Sequence, residues 1–378
     1  MPTGRVVIDV SEGCGPIWSG FSRYVHGLMR GLSAVRDCRI DLRFITDLAP
    51  SEADTDGRWL VAPESTWQAV LEQEAASVYH DLTSASDSSL LLAMPHGVRT
   101  IVTLHDAIYL THYLRAVGER ESAEYTSRMS GILEKCAAVV TVSEAARSAI
   151  LREFPSVAPS KVAVIYPGID QLFRTMDRDR AKTWCVRYGI SLDQPFILNA
   201  GAYFPHKNLR TLLLAFEKVL TQVPNARLVL TGALEPEHAA YWYAFLLQHR
   251  LYDRVIITGR VTDEELVCLY NACSVFAYPS LVEGFGFPPL EAAYCGARVL
   301  ASDIDVFHET LEGSATFLPP TGVDAWAERL IAILEGVCDG DACAGEKRRH
   351  KRFSWHDSAI AHSALYEAVL DGGGASTL

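Results

Sequence analysis

Two glutamates eight positions apart, Glu283 and Glu291, bracket the string Glu-Gly-Phe-Gly-Phe-Pro-Pro-Leu-Glu. A carboxylate accepts two hydroxyl donors, the arrangement that sugars present. Glycines let backbone come close to a ligand. The pair Pro288-Pro289 marks a helix start, whose free N–H groups and positive dipole end suit a phosphate. Together these features suit a nucleotide sugar. Glu291 would hold ribose hydroxyls, while Glu283 and the N–H groups of Phe285 and Gly286 would hold the transferred sugar. The same string also makes a Gly-Pro loop with two surface carboxylates, and on its own it leaves both readings open.

Other residues carry chemistry in the same sense. Lys207 lies after one strand and before a helix, where an ammonium can neutralise a diphosphate as a glycosidic bond breaks. His105 and Asp106 close a strand in the first half; a histidine there is equally a core residue. Gly20 sits where a loop meets a helix. Gly13, Gly15 and Gly20 have the wrong spacing for a dinucleotide fingerprint. Asp54-Thr-Asp56 and Asp303-Ile-Asp305 have no metal-site context, so no metal is expected. The nine cysteines include no Cys-x-x-Cys pair and read as buried free thiols.

These residues need elements to position them. Strand-like runs cover Arg5–Val10, Ile40–Ile45, Thr100–Leu104, Ala138–Val142 and Val162–Ile165 in the first half. In the second half they cover Phe196–Ala200, Leu228–Thr231, Val255–Thr258, Val275–Tyr278 and Val299–Ser302. Helices fall between them. Gly20–Leu32 places Phe21, Tyr24, Val25, Leu28, Met29 and Leu32 on one stripe. Glu144–Phe154 follows a Ser143 cap, Asn208–Leu220 follows Lys207, and Thr262 with Glu265 forms a capping box. Alternation of this kind means parallel sheets covered on both faces. Two doubly wound α/β domains follow, 1–170 and 171–354, with ligands outside the strands' carboxyl ends and a cleft between domains as the natural site. A last helix, 355–371, follows a basic run from Lys347 to Arg352 that reads as solvated, and it is expected to cross back to the first domain. The Gly-rich tail 372–378 reads as disordered.

Length and composition agree with two soluble domains: 378 residues, 49% hydrophobic and 21% charged. The net charge of −12 is shared evenly by the two halves and argues against nucleic acid. No apolar run reaches membrane-span length. With no leader signal, a cytoplasmic location is expected. The segment Tyr113–Lys135 mixes Arg115, Arg120, Arg128 and Lys135 with Leu114, Met129, Ile132 and Leu133; it reads as an interfacial helix or, given its acids, as an ordinary solvated one.

The sequence resembles the retaining glycosyltransferases of the large GT4 family, which have the GT-B fold of two Rossmann-like domains facing across a cleft. The Glu283–Glu291 string carries the resemblance. Further pieces stand in family order: Ser19-Gly20-Phe-Ser-Arg23-Tyr24, Val102-Thr-Leu-His105-Asp106, Val140-Thr-Val-Ser143-Glu144, Ile165-Tyr-Pro-Gly168, Asn199-Ala-Gly201 through Pro205-His206-Lys207-Asn208, and Thr258-Gly259-Arg260-Val261. The resemblance implies an N-terminal acceptor-binding domain and a C-terminal nucleotide-sugar-binding domain. It implies catalytic roles for Glu283, Lys207 and His105, and an acceptor-side role for Asp106. Donor binding would use Gly20, Glu291, Phe285, Gly286, Leu290, Arg260, Val261 and His206. An arginine that often follows the glycine in the family is Ala202 here, which leaves His206 or Arg210 as the charge partner of Lys207. The nearest likeness is to mannosyl- and rhamnosyltransferases of bacterial surface polysaccharides. That implies GDP-mannose as donor, a glycan or lipid-linked acceptor, peripheral membrane association and no cofactor. A UDP-sugar enzyme, or a nucleotide-sugar-binding scaffold without catalysis, are the alternatives.

Overall fold

The computed structural model describes residues 4–11, 19–35, 39–47, 58–82, 89–191, 194–337 and 353–375. Cys14, Cys38, Cys338, Cys343, Gly13, Gly15, Asp54, Asp56, the Lys347–Arg352 run and the tail beyond 375 lie outside them. The chain divides into two units, Met1–Gly168 with Phe353–Leu378, and Ile169–Arg352.

The first unit contains strands β1 (Gly4–Asp9), β2 (Ile40–Thr46), β3 (Trp59–Val61), β4 (Val78–Asp81), β5 (Arg99–Thr103), β6 (Ala138–Thr141) and β7 (Val162–Val164). Its helices are α1 (Gly20–Ala34), α2 (Trp67–Gln73), α3 (Ser89–Leu92), α4 (Arg115–Val117), α5 (Glu119–Lys135) and α6 (Glu144–Glu153), with a π-helical stretch at Tyr109–Leu114. The strands form one parallel sheet in the order β3-β2-β1-β4-β5-β6-β7. Val6, Val7 and Ile8 are fully buried, as a parallel strand covered on both faces requires.

The second unit contains α7 (Arg178–Arg187), β8 (Phe196–Ala200), α8 (Leu209–Val219), β9 (Arg227–Thr231), α9 (Pro236–Gln248), β10 (Val255–Gly259) and α10 (Asp263–Ala272). It continues with β11 (Val275–Tyr278), α11 (Phe287–Tyr294), β12 (Val299–Ser302), α12 (Asp305–Leu311), β13 (Ala315–Leu318) and α13 (Val323–Leu334). Its six strands are ordered β10-β9-β8-β11-β12-β13. The Thr262–Glu265 capping box opens α10. Leu212, Phe216, Leu228, Leu230 and Trp326 centre its core. The last helix, α14 (Trp355–Leu370), belongs to the first unit and packs on α1.

Both sheets reverse their winding once, between β1 and β4 and between β8 and β11. Such a switch point opens a crevice at the strands' carboxyl ends. In the second unit the loops leaving β8 and β11 carry Lys207 and Glu283.

Several expectations need correction. Phe21 was placed on the buried stripe of α1 but is 43% exposed. The buried face instead includes Gly27 and Gly31, because α14 lies against them. The Tyr113–Lys135 segment is not one helix; Gly118 interrupts it, and Met129, Ile132 and Leu133 of α5 pack into the core rather than facing outward. The tail was expected to be disordered from residue 372, yet the chain is placed to Ala375, which is buried.

Candidate active site

The second unit's candidate residues meet across its switch point. Lys207 ends a short 3-10 turn, Pro205–Lys207, after β8. Its Nζ donates to Glu283 Oε1 at 2.7 Å. Ser280 Oγ donates to the same oxygen, also at 2.7 Å. The Lys207 and Glu283 side chains are only 20% and 8% exposed. Burial alone would lower the lysine's pKa and raise the glutamate's. Their mutual attraction outweighs it, so Lys207 is raised and Glu283 lowered, and both are charged. The Tyr278 ring lies 5.5 Å from Nζ, within cation–π range.

Backbone contacts stitch the two loops together. Leu281 N–H donates to His206 O at 2.8 Å, and Ser280 Oγ lies 3.1 Å from the same oxygen. Asn208 adopts a left-handed conformation, φ +53°, as the N-cap of α8. Its Nδ2 donates to Pro279 O at 3.0 Å and Pro320 O at 2.7 Å. The His206 imidazole is buried and stacked on Phe204 at 5.9 Å. Arg210, the other suggested charge partner of Lys207, is exposed on the first turn of α8.

Glu291 lies deeper than expected. With Gly286 as cap, α11 starts at Phe287, one residue before the Pro288-Pro289 pair, and Glu291 is its fifth residue. Gly286 has φ +87°, and a Cβ there would meet the Phe307 ring at 2.6 Å. Glu291 is 2% exposed and accepts from Tyr270 Oη at 3.3 Å. Leu290 and Phe285 are buried too. Pro288 and Pro289 have no N–H, so this helix start offers fewer backbone donors than its position implies, and Leu290 N is directed at Gly286 O. Arg260 follows β10, is exposed, and pairs with Glu235 at 3.6 Å; Val261 beside it is half-buried.

The first unit carries the other candidates. Gly20 is exposed as the first residue of α1, behind a Ser19–Ser22 capping box. His105 follows β5 and is buried. Its Nε2 bonds Leu82 O at 3.0 Å, and its ring meets Phe21 and Tyr24 edge-on, each at 4.7 Å. Asp106 Oδ1 accepts from Ile108 N–H at 2.8 Å, just ahead of the π-helical stretch. Ser143 caps α6 through Ala146 N–H. Asp303 pairs with His308 at 2.6 Å.

Ser280, Tyr278 and Asn208 join the site without having been singled out. Ser280 stands three residues before Glu283, a spacing that pattern reading could have used. The role of Asn208 needed its two distant carbonyl partners to be seen.

A family model described as "Glycosyl transferases group 1" matches residues 182–349, and one described as "Glycosyltransferase Family 4" matches residues 18–171. The O-antigen chain mannosyltransferase B of Escherichia coli is 30% identical over 293 residues, covering 73% of this chain and 72% of that protein. The serotype-specific mannosyltransferase WbdA of E. coli is 27% identical over 268 residues, 69% of this chain; the aligned part spans only 32% of WbdA. The structure of Anabaena HepE in complex with UDP-glucose shares 16% identity and a TM-score of 0.73, covering 97% of this chain and 100% of that one. That likeness shows the two-domain α/β GT-B fold.

Proposed function

The chain belongs to the family 4 glycosyltransferases, and from that premise we propose that it is a retaining, metal-independent hexosyltransferase. It takes mannose from GDP-mannose and passes it to a glycan or lipid-linked acceptor in the assembly of a cell-surface polysaccharide. The names of the relatives, O-antigen and serotype-specific mannosyltransferases, support the sugar and the setting. The observation that carries the reading is the buried Lys207–Glu283 pair at the second unit's switch point.

An ammonium has three donors. Lys207 can therefore keep its bond to Glu283 and still meet a diphosphate oxygen. Glu283 has a second oxygen for a sugar hydroxyl. The N–H group of Gly286, at the start of α11, supplies a further donor where negative charge grows. In this reading the acceptor hydroxyl attacks the anomeric carbon on the face the diphosphate leaves. The bond to the phosphate oxygen breaks, and that oxygen takes the acceptor's proton. No protein nucleophile is needed. Catalysis is positioning plus electrostatic stabilisation of an oxocarbenium-like state. Glu291, Leu290, Arg260, Val261 and His206 line the donor's nucleoside and phosphates. Gly20 brings backbone to the phosphates, His105 serves the donor sugar, and Asp106 serves the acceptor. A lipid-linked acceptor would bring a cytoplasmic enzyme to the inner membrane face. Among the described residues no helix is long and apolar enough to cross a membrane.

A UDP-sugar donor is the second reading, favoured by the likeness to HepE in complex with UDP-glucose. One assay separates the readings. The protein is incubated with GDP-mannose, UDP-glucose or UDP-GlcNAc, with and without EDTA, and released GDP or UDP is measured. Slow release from GDP-mannose, unchanged by EDTA and abolished by Glu283→Ala or Lys207→Ala, is the expected result. Release from a UDP-sugar moves the assignment to that donor. Binding of GDP or UDP without turnover, even with acceptor lipids added, indicates a scaffold, which the missing arginine at Ala202 would suit. No binding at all sinks the reading of the Glu283–Glu291 loop.

A further inference from the structure

Beneath His105 the first unit holds a closed polar network that the chemistry above does not use. It contains His80, Thr103, Tyr24, His362 and Tyr366, all from buried positions, and it joins α14 to α1, β4 and β5. His362 Nδ1 lies 2.7 Å from Ser358 O. A carbonyl only accepts, so Nδ1 carries the proton. Burial keeps His362 neutral at ordinary pH, its pKa lowered to about 4. Nε2 is then a bare acceptor, and the Tyr24 hydroxyl, 3.2 Å away, donates to it.

The rest of the network follows in order. The Tyr24 proton is thus committed to His362. His80 Nε2 lies 2.8 Å from Thr103 Oγ1 and His80 Nδ1 lies 2.8 Å from Tyr366 Oη, so both nitrogens of that buried ring are engaged. The Ser358 carbonyl therefore directs the Tyr24 proton through His362, and Tyr24 has no freedom to rotate its hydroxyl elsewhere.

Tyr24 is also one of the two aromatic rings that hold His105 at right angles, at 4.7 Å and 85°. His105 Nε2 must donate to Leu82 O, again because a carbonyl accepts. Among the described residues nothing is bonded to Nδ1. We propose that Tyr24 and His362 are positioning residues that act through His105, fixing the orientation of its imidazole so that Nε2–H stays on Leu82 O and Nδ1 is presented as a hydrogen-bond acceptor for a substrate hydroxyl. The proposal rests on the glycosyltransferase reading for the substrate and on geometry alone for the tautomer. It makes α14 part of the catalytic apparatus without any contact to substrate.

The test combines a spectrum with kinetics on the full-length protein. Nitrogen-15 imidazole spectra, assigned through His105→Asn, report which ring nitrogen of His105 carries the proton and whether it exchanges slowly. The wild type should show a slowly exchanging Nε2–H. Tyr24→Phe, which removes one oxygen, and His362→Leu should speed that exchange. They should also lower kcat roughly tenfold with the donor KM unchanged, the kind of loss that small misplacement causes. His362→Gln, whose amide oxygen can accept from Tyr24, should restore both readouts. Circular dichroism checks that each variant is folded. A wild-type Nδ1–H tautomer overturns the proposal, as does a folded Tyr24→Phe with unaltered exchange and unaltered kcat. Should the wild type turn over no donor, the functional reading fails while the spectra still decide the tautomer and the part Tyr24 plays in it.

Discussion

Lys207 and Glu283 are each other's condition for being charged where they are. Removing one partner of a buried pair leaves an uncompensated charge, at a cost of about 3–5 kcal/mol, whereas replacing both by apolar groups of similar size costs much less. Lys207 is not fully enclosed, so the lower end applies. Lys207→Met and Glu283→Leu are each expected to destabilise the second unit by about 3 kcal/mol. The double variant should lose less than either alone in urea unfolding, although all three should be inactive. Additive losses would mean that water, not the partner, satisfies these groups. Asn208 makes a separate case. Asn208→Ala loses two carbonyl partners and forces a Cβ-bearing residue without a local side-chain bond into φ +53°, for a loss of roughly 2 kcal/mol. Asn208→Gly keeps the backbone conformation and should lose about half as much. Equal losses would mean that the conformation contributes nothing.

At the scale of elements, the seating of α14 on α1 depends on one absent side chain. A Cβ on Gly27 would lie 2.0 Å from the Trp355 indole. The indole cannot yield as the tip of a lysine could, so Gly27→Ala should cost about 1–3 kcal/mol and loosen α14. Hydrogen exchange of the α14 amides should rise more than that of β6, and equal exchange would show that the helix had simply moved over. The sequence made most of these elements legible, through a particular physical route. Strands such as Val275–Tyr278 and Val299–Ala301 are near-continuous apolar runs because parallel strands are covered on both faces. β4 escaped notice because half of it, His80 and Asp81, is polar although fully interior. α9 lacks a polar face, and its apolar residues show no clear stripe. Of the candidate site, the residue types and their loops were readable. The depth of Glu291 was not, since it depends on where Gly286 starts the helix. Nor was the role of Tyr24 or His362, whose partners are hundreds of positions away.

For the molecule as a whole, the interior of the first unit sets an acid limit. Burial holds His105 and His362 at about 4 and pushes His80 well below its ordinary value of 6.5. Once pH falls below about 6.5, the unfolded chain binds protons that the folded one refuses. Stability then drops by up to about 1.4 kcal/mol per pH unit for each histidine. Asp9 opposes them. Burial, then the neighbouring Asp81 charge, raises its carboxyl to about 7, so its contribution grows as pH falls from 7 towards 4. Three groups against one leave a net loss. The Tm should be lower at pH 5 than at pH 7, and His362→Gln should flatten the difference; a Tm independent of pH would mean that these histidines are solvated. The two units also differ in self-sufficiency. The second has all its strands and its core within one continuous stretch. A fragment spanning 169–352 should unfold cooperatively in urea. A fragment ending at 168 should not, because nothing would cover Gly27 and Gly31.

That discontinuity has a consequence for timing. A ribosome makes residues 353–370 after every strand of both sheets, yet α14 completes the first unit made. The inserted second unit can fold while the first still waits, its Tyr24 without His362 and its α1 glycines open to water. The histidine at the end of β5 is then oriented only late in the chain's own synthesis. Any nascent product cut off before α14 carries intact Lys207 and Glu283 but an unset His105; under the proposed function it would bind a donor without the means to use it.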